Sequence, residues 1–454
     1  TTLTVASDNE TKTLRIKSKA STGDNGMISQ ILAGIDKKLF NIGGAANKLA
    51  DAFGGSAAQG ANKTNTFQGG GAFGYVENAQ LSEVAVGEDL AATQTLTVRS
   101  TSDLKDHNYV VQSKHEVKED SQVETSGALS ILVNRSASAA NGSVGAHLTI
   151  ADGVTLTAPT LALINKASAE KDRWDPYKTD WIEWWNDVKK VFTKGGYTEQ
   201  LAQLEASWNT FQNALIVGDE GGSLTSIWDK LGDRFSHLPA FASVIGDSFA
   251  LLGTPGSLLG YGVSAIFRAA DFLNPCTFAN VCVSAGGTSR DAKTEPTMLN
   301  GAIAYTEQSV TGKLLVGAGS TLTTNGVANG KITIEGSTLN ENISLGHNRN
   351  TFLGVPIGLP VKIAGKDIGA VEGMTGNAVG ASVLVESLTT NNLVQVQEKA
   401  TLSAQNGTLK LTASDAVGAY NMSLTAGGGE GKLSLLGMAD VTLLNARNAL
   451  QIDD

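Results

Sequence analysis

Alternating hydrophobic and polar residues recur along most of the chain. One six-residue pattern, in which apolar positions are separated by polar ones, ends several strand-rich stretches. Its copies lie at 13–18, 95–100, 160–165, 331–336 and 408–413. A period of two is typical of a β-strand that buries one face. The pattern therefore predicts a mainly β chain built from a repeated unit.

A second motif opens the same units. It starts with Gly-Ala and then alternates, and it begins at Gly71, Gly127, Gly301 and Gly380. Short strands with glycine corners, repeated in this way, predict coils that stack on one another, because one coil cannot bury its apolar face alone. We predict a right-handed parallel β-helix, or solenoid. A β-sandwich also uses short alternating strands and remains the alternative fold.

The repeat is interrupted twice by residues with helical spacing. In the first interruption Ile28, Ile31, Leu32 and Ile35 fall on one helical face. In the second, apolar residues from Leu201 onward are spaced three and four apart, as in a helical hairpin. The predicted order is 1–23 β-helix strands, 24–70 short helical insertion, 71–169 β-helix, 170–295 tryptophan-rich α-helical domain and 296–454 β-helix.

The second insertion contains every tryptophan of the chain. Helical spacing assigns most of them to a hairpin core. Trp184 and Trp185 are adjacent, however, and cannot both point along one line of a helix, so one of them is expected at the edge, where tryptophan often anchors an interface. The candidate partner-binding residues are Trp181, Trp184, Trp185, Trp208 and Trp228.

Residues 236–289 carry only three charged side chains, and 248–267 is an uncharged run of 20 residues. A spanning helix needs about 20 predominantly apolar residues, and Gly-Thr-Pro-Gly at 253–256 interrupts this run. We therefore expect two short buried helices. A membrane-acting toxin segment is the alternative function for this stretch.

Charge and cysteine content narrow the class of protein. The net charge of −10 provides no basic footprint for nucleic acid, so no nucleic-acid partner is expected. The only two cysteines, Cys276 and Cys282, form a C-x5-C pattern that predicts a local disulfide in a secreted chain. A metal site or a cysteine nucleophile would need further ligands or a histidine base, and His237 is the nearest histidine in sequence.

The sequence offers little for catalysis. A glycosidase needs two carboxylates that face each other across a groove, but Glu119-Asp120 and Asp219-Glu220 are adjacent pairs that a strand would send to opposite faces. The histidines lack metal-site spacing, and His107 and His115 could meet only around a turn. We predict no enzyme activity, no cofactor and no metal. A glycan-active β-helix enzyme remains an alternative.

The repeat units resemble those of a known family. Gly-Ala-Phe-Gly-Tyr-Val-Glu-Asn from Gly71, Val-Gly-Glu-Asp-Leu from Val86 and Leu-Thr-Val-Arg-Ser from Leu96 look like the strands of filamentous adhesins of type V secretion. More narrowly, 73–169 and 296–450 resemble the leukotoxin-type filamentous adhesin family. The resemblance implies a long β-helical stalk broken by helical insertions, export through an outer-membrane transporter, and display on the bacterial surface.

These observations lead us to expect a secreted bacterial adhesin. Its partner would be a cell-surface receptor, protein or glycan, on a host cell or on another bacterium. The strand-like pattern of the first residues and the lack of a leader lead us to expect an internal part of a longer protein.

Overall fold

The fold is seen in a computed structural model in which the chain divides into two compact units. Unit 1 comprises Thr1–Lys171, Ala279–Asn350 and Val371–Asp454, and unit 2 comprises Asp172–Phe278 and Thr351–Ala370. The residues that the structure describes are 1–11, 14–21, 67–105, 107–116, 125–137, 142–170, 182, 185–187, 189–190, 193–194, 201–202, 205, 208–209, 276, 279–288, 297–348, 351–352, 355–356, 361–363, 366–368, 378–424 and 434–453.

Most of the described residues lie in β-strands, which confirms the predicted mainly β character. In chain order the strands are β1 (Thr2–Thr11), β2 (Leu14–Ser21), β3 (Phe67–Asn78), β4 (Gln80–Val86), β5 (Leu90–Ala91), β6 (Thr95–Leu104), β7 (His107–Glu116), β8 (Thr125–Ser136), β9 (Val144–Ile150), β10 (Thr155–Thr157), β11 (Thr160–Ala169), β12 (Val281–Thr288), β13 (Thr297–Val316), β14 (Thr321–Thr323), β15 (Lys331–His347), β16 (Thr351–Phe352), β17 (Val355–Pro356), β18 (Val361–Ile363), β19 (Lys366–Ile368), β20 (Ala378–Val396), β21 (Thr401–Ser403), β22 (Thr408–Leu424) and β23 (Ser434–Ile452). In unit 2, β16 pairs with β17 and β18 with β19, both antiparallel.

Three parallel sheets make up the strand framework of unit 1. Sheet 1 has the order β1-β6-β11-β15-β12-β7-β2, and β22 also pairs with β15. Sheet 2 has the order β23-β20-β13-β8-β3, with β9 beside β13 and β4 beside β9. Sheet 3 has the order β21-β14-β10-β5. The chain passes through sheet 2, sheet 3 and sheet 1 in that order and then repeats it, as in β13, β14, β15 and again in β20, β21, β22. Each strand therefore lies beside its counterpart from the next repeat.

In sheet 1, the copies of the closing motif pair with one another in register. Leu161 lies opposite Leu96 on one side and Ile332 on the other, and Ile332 lies opposite Leu409. Four of the five predicted copies are therefore equivalent in space. In-register stacking places each apolar residue over the one before it, so the repeat shares one continuous core.

The copy at 13–18 was assigned wrongly. Leu14 belongs to β2, which pairs with β7, whereas Leu3 in β1 is the residue opposite Leu96. The first eighteen residues contain two strands with the same Thr-Leu-x-apolar start, at Thr2 and at Thr13. Alternation alone cannot distinguish between them, because both alternate apolar and polar residues.

The opening motif marks the strands of sheet 2 but not their register. Gly71 and Gly301 both lie opposite Leu129. Gly127, in contrast, lies opposite Gly69, and Gly380 lies opposite Asn300. Register is set by which side chains must face the core, since a one-residue slip exchanges the two faces of a strand. A glycine side chain imposes no such preference.

The apolar core of unit 1 consists of columns of stacked side chains. In sheet 2 one column contains Val86, Ile150, Val316, Val396 and Ile452, each the register partner of the next. The first four are buried and pack with matching columns from sheets 1 and 3. Burial of one such side chain contributes about 1.5–3 kcal/mol, so the columns provide the main stabilisation of the ladder.

Two described strands overlap the ranges predicted to be insertions. Residues 24–66 lie outside the described residues, and 67–70, predicted to end the first insertion, already belong to β3. The range 170–295 contains β12, which pairs in parallel with β7 and β15. Its Val-x-Val alternation was hidden in a run of low charge that we assigned to buried helices.

Neither predicted helical insertion is seen as a complete element among the described residues. In the second insertion the helical residues are 182, 185–187, 189–190, 193–194, 201–202, 205, 208–209 and 276. No helix in the part of the chain that the structure describes is long and apolar enough to cross a membrane. Most of 236–289, including the uncharged run, lies outside that part.

Candidate functional sites

Two of the candidate tryptophans form a stacked pair in unit 2. The ring centroids of Trp185 and Trp208 are 5.1 Å apart and their planes differ by 13°. Lys189 Nζ lies 5.2 Å from the Trp185 ring centroid and 2.7 Å from Glu205 Oε1. Lys189 follows Trp185 by four residues and Glu205 precedes Trp208 by three, so both pairs have helical spacing. The stack therefore joins two helical segments.

Trp185 and Trp208, both candidate partner-binding residues, are buried in this stack. Their exposed fractions are 4% and 2%, which leaves little of either ring for a partner. The stack agrees with the hairpin core that their helical spacing predicts. Trp181, Trp184 and Trp228 lie outside the described residues.

Both cysteines are disulfide-bonded. The chain has only two, so Cys276 and Cys282 are bonded to each other. A sulfur held in a disulfide is neither a thiolate nucleophile nor a thiolate ligand, because both functions need the free anion. The bond therefore leaves Cys276 and Cys282 with a structural role in this oxidation state.

The histidine pair weighed for a metal site is not brought together. His107 and His115 both lie in β7, eight residues apart on one extended strand. A rise of about 3.3 Å per residue separates their Cα atoms by roughly 26 Å. His107 is buried beside Asn280, whose Nδ2 lies 3.3 Å from His107 Nδ1. The acidic pairs at 119–120 and 219–220 lie outside the described residues.

Sequence reasoning missed a polar interior between sheets 1 and 2, which we define by Asn392, Asn340, Asp415 and Glu386 with their partners. Asn392 Nδ2 donates to the Gly336 carbonyl at 3.1 Å and to Asn448 Oδ1 at 3.0 Å. A Cβ on Gly312 or Gly336 would lie 2.9 Å or 3.1 Å from Asn392 Oδ1. The two glycines therefore leave the space that the buried amide fills.

Further along the polar interior the side chains satisfy one another. Gln308 Nε2 donates to Asn340 Oδ1 at 2.6 Å, and Asn340 Nδ2 donates back to the Gln308 carbonyl at 3.1 Å. The Asp415 carboxylate accepts from Thr338 Oγ1 and Thr390 Oγ1, each at 2.7 Å. Buried polar groups paired in this way stabilise one register, since a slip would leave them unpaired.

Glu386 occupies the next part of the polar interior. On β20 it lies between Thr306 of β13 and Thr442 of β23, its register partners. Asn342 Nδ2 donates to Glu386 Oε1, and Asn421 Nδ2 donates to Thr442 Oγ1 at 2.7 Å. Burial raises the pKa of the Glu386 carboxyl to about 7, although hydrogen bonds from Asn342 and Asn421 oppose the shift. At neutral pH this group is poised between its two protonation states.

The surroundings of Glu386 contain acceptors that lack donors. Glu386 Oε2, Asn342 Oδ1, Asn421 Oδ1 and Thr306 Oγ1 are buried and have no hydrogen-bond partner. The side chains of Glu386 and Asn342 are 0% exposed.

The edge formed by β22 and β23 exposes a set of large apolar side chains. They are Leu409 and Met422 on β22, and Leu435, Leu436, Met438, Val441, Leu443, Leu444, Leu450 and Ile452 on β23. Leu450 and Ile452 continue the core columns of sheet 2. The edge can therefore accept another parallel strand of the same pattern.

Comparisons with known proteins place no constraint on function. No protein-family model, no curated protein and no solved structure matches the chain. Function is therefore argued from the geometry and from the strand motifs of the sequence.

Proposed function

We propose that unit 1 is a right-handed parallel β-solenoid that forms the stalk of a secreted bacterial adhesin. The observation that carries this proposal is the column of Val86, Ile150, Val316, Val396 and Ile452, in which each repeat stacks in register on the one before. The strand motifs that begin at Gly71 and Leu96 support an adhesin of the leukotoxin-type filamentous family.

The arrangement suits a stalk because its hydrogen bonds and its core are continuous across repeats. Neighbouring strands in such a ladder lie about 4.8 Å apart, and each added repeat buries the open face of the previous one. In this proposal the stalk sets distance from the cell and the inserted segments contact the partner. The full-length protein would leave the cell through an outer-membrane transporter and act on the bacterial surface.

The partner surface is proposed to lie in the second insertion, which also includes the proposed buried helices. The partner is a receptor, protein or glycan, on a host cell or on another bacterium. Trp185 and Trp208 are buried in the stack. Trp184, with Trp181 and Trp228, therefore remains the aromatic candidate for this surface.

The structure shows how to remove the insertion without disturbing the stalk. In the repeat without an insertion, β6 and β7 are joined by residues 105–106. By register, Leu104 is equivalent to Ala169, and Tyr109 is equivalent to Val281. Replacement of residues 171–278 by one glycine therefore gives β11 and β12 the same short connection. The variant also carries Cys282→Ser, because the deletion removes Cys276, the disulfide partner of Cys282.

The test compares binding of the labelled chain and of this variant to panels of host and bacterial cells. Loss of binding by the variant, with a β-type circular dichroism spectrum and cooperative unfolding retained, is the expected result. Asp8→Asn on the stalk is the control and should bind like the unmodified chain. Equal binding by the glycine-linked variant would contradict a partner surface in the insertion.

A second comparison distinguishes the loss of a contact with the partner from the loss of packing inside the insertion. Trp184→Ala should weaken binding with little loss of stability, whereas Trp185→Ala should lower the stability because it removes half of the buried stack. Removing a buried tryptophan costs about 3–5 kcal/mol. If Trp184→Ala binds normally, Trp184 is not part of the partner surface.

A further inference from the structure

Around Glu386, several buried polar oxygens of the polar interior lack a hydrogen-bond partner. Four buried oxygens, Glu386 Oε2, Asn342 Oδ1, Asn421 Oδ1 and Thr306 Oγ1, have no hydrogen-bond partner in the protein. Buried polar groups in folded proteins are almost always satisfied, and an exception calls for a bound water or ion. These oxygens therefore offer a site for a bound water or a cation.

The four oxygens belong to side chains that meet around one carboxyl group. Thr306 is the neighbour of Glu386 in sheet 2, at a strand spacing of about 4.8 Å. From sheet 1, Asn342 donates directly to Glu386 Oε1. Asn421 lies opposite Ser344, which itself accepts a hydrogen bond of 2.9 Å from Asn342. Four strands of two sheets thus contribute to one small site.

The chemistry of these donors selects the class of occupant. Carboxylate, amide carbonyl and hydroxyl oxygens are the ligands of hard cations, and Ca²⁺ accepts them in flexible geometry, whereas Mg²⁺ demands a near-ideal octahedron. Soft metals prefer nitrogen and sulfur. None of the buried polar residues that the structure describes is Lys or Arg, so no protein cation there balances a Glu386 carboxylate.

We propose that Glu386, Asn342, Asn421 and Thr306 bind a calcium ion in the interior of unit 1. The ion links sheet 1 to sheet 2. Its double charge exceeds the single charge of the Glu386 carboxylate. One carboxylate and three neutral ligands form a weak site, so the expected Kd is on the order of 0.1–1 mM, as in extracellular calcium modules.

The site lies next to the exposed strand β23. Asn421 contacts Thr442 on β23, where side chains are exposed. Asp440 lies two residues from Thr442 on the same strand face and accepts a hydrogen bond of 2.5 Å from Ser423 Oγ. An exposed carboxylate at this position attracts cations towards the site. Protons compete with the ion for Glu386, because only the ionised carboxyl is a good ligand.

The test measures thermal unfolding of the full chain at pH 8 in EDTA and in 10 mM CaCl₂, with 10 mM MgCl₂ as the ionic control. Calcium should raise the Tm by at least about 2 °C, and by more than magnesium does. Isothermal titration should give one site, and the affinity should fall at least tenfold at pH 5.5.

Glu386→Gln is the central variant. The amide keeps the shape of the side chain and can donate to the asparagine oxygens, so the variant should fold and should lose the calcium response. Glu335→Gln, on an outward-facing position of β15, makes the same charge change and should keep the response. Asn421→Asp adds a second carboxylate and should bind calcium about tenfold more tightly.

Three results would overturn the proposal. The first is an unchanged Tm of the unmodified chain in calcium at pH 8, which would leave water as the occupant. The second is an equal calcium response in Glu386→Gln, which would place the ion elsewhere. The third is an equal response to magnesium, which would indicate screening alone.

Discussion

Asn392 donates a hydrogen bond of 3.1 Å to the carbonyl of Gly336, and a Cβ at Gly336 would lie 3.1 Å from Asn392 Oδ1 and 2.5 Å from Val394 Cγ2. The glycine and the amide therefore depend on each other across two sheets. This relationship marks the point in unit 1 where the apolar columns give way to the polar interior.

Gly336→Ala should destabilise the chain because the new methyl group overlaps Val394 and crowds the buried amide. Overpacking of this kind costs about 1–3 kcal/mol. Urea unfolding followed by circular dichroism measures the loss. Gly437→Ala is the matched control, since a Cβ there meets nothing within 4 Å. Equal unfolding midpoints for the two variants would contradict the tight fit at Gly336.

The position of a side chain along its column should determine how much its truncation lowers the free energy of unfolding. Ile150 is fully buried in the middle of the column, whereas Ile452 at the end of the same column is 66% exposed. Ile150→Ala should lower the free energy of unfolding by about 2–5 kcal/mol. Ile452→Ala should cost less than about 1 kcal/mol. Similar losses for both variants, again from urea unfolding, would argue against stacked repeats that bury one another.

Glu386 should make the stability depend on pH in a direction unusual for a carboxyl group. Its pKa is about 7 in the folded chain, above the ordinary value of 4.5. The folded state therefore binds the proton more tightly, so the contribution is fully present below pH 4.5 and is lost as the pH rises to 7. The shift corresponds to roughly 3 kcal/mol.

Urea unfolding at pH 5 and pH 8 in EDTA isolates this effect when Glu386→Gln is measured in parallel. The unmodified chain should lose more stability than the variant on going to pH 8. Parallel losses would show that Glu386 titrates normally in the folded state. EDTA is essential, because the proposed calcium ion would mask the loss.

The ion pair between Asp8 and Arg99 should contribute little despite its good geometry. Arg99 Nη2 lies 2.6 Å from Asp8 Oδ2, and the side chains of Arg99 and Asp8 are 40% and 47% exposed. Exposed pairs contribute about 0–1 kcal/mol. A double-mutant cycle with Asp8→Asn and Arg99→Gln measures the coupling, and a value above about 2 kcal/mol would contradict this expectation. The pKa of Asp8 is lowered, chiefly by its hydrogen bond from Arg99.

The sequence predicted the strands well because alternation is a local property. Leu96, Leu161, Ile332 and Leu409 could be matched by pattern, and the structure places them side by side. The pattern could not exclude 13–18, because β1 and β2 both alternate. The pattern also missed β12, since its eight residues are too few to establish a period of two.

One feature of the sequence could have predicted the polar interior. Glu386 lies at an inward position between Leu384 and Leu388, so strict alternation places a carboxyl group in the core. A buried carboxyl group needs partners, which identifies it as a site. The identities of those partners, Asn342 and Asn421, follow only from the pairing of sheets, which no local pattern contains.

The stacking of the repeats is tested most directly by distances along one outward-facing column. Ala85, Thr149, Leu315, Gln395 and Gln451 are successive register partners in sheet 2. Spin labels at Ala85→Cys and Gln451→Cys, in a chain whose native cysteines are replaced by serine, report the separation by pulsed electron resonance. Four strand spacings of about 4.8 Å predict a narrow distribution near 19 Å between backbones. A separation above about 30 Å, or a broad distribution, would contradict the solenoid.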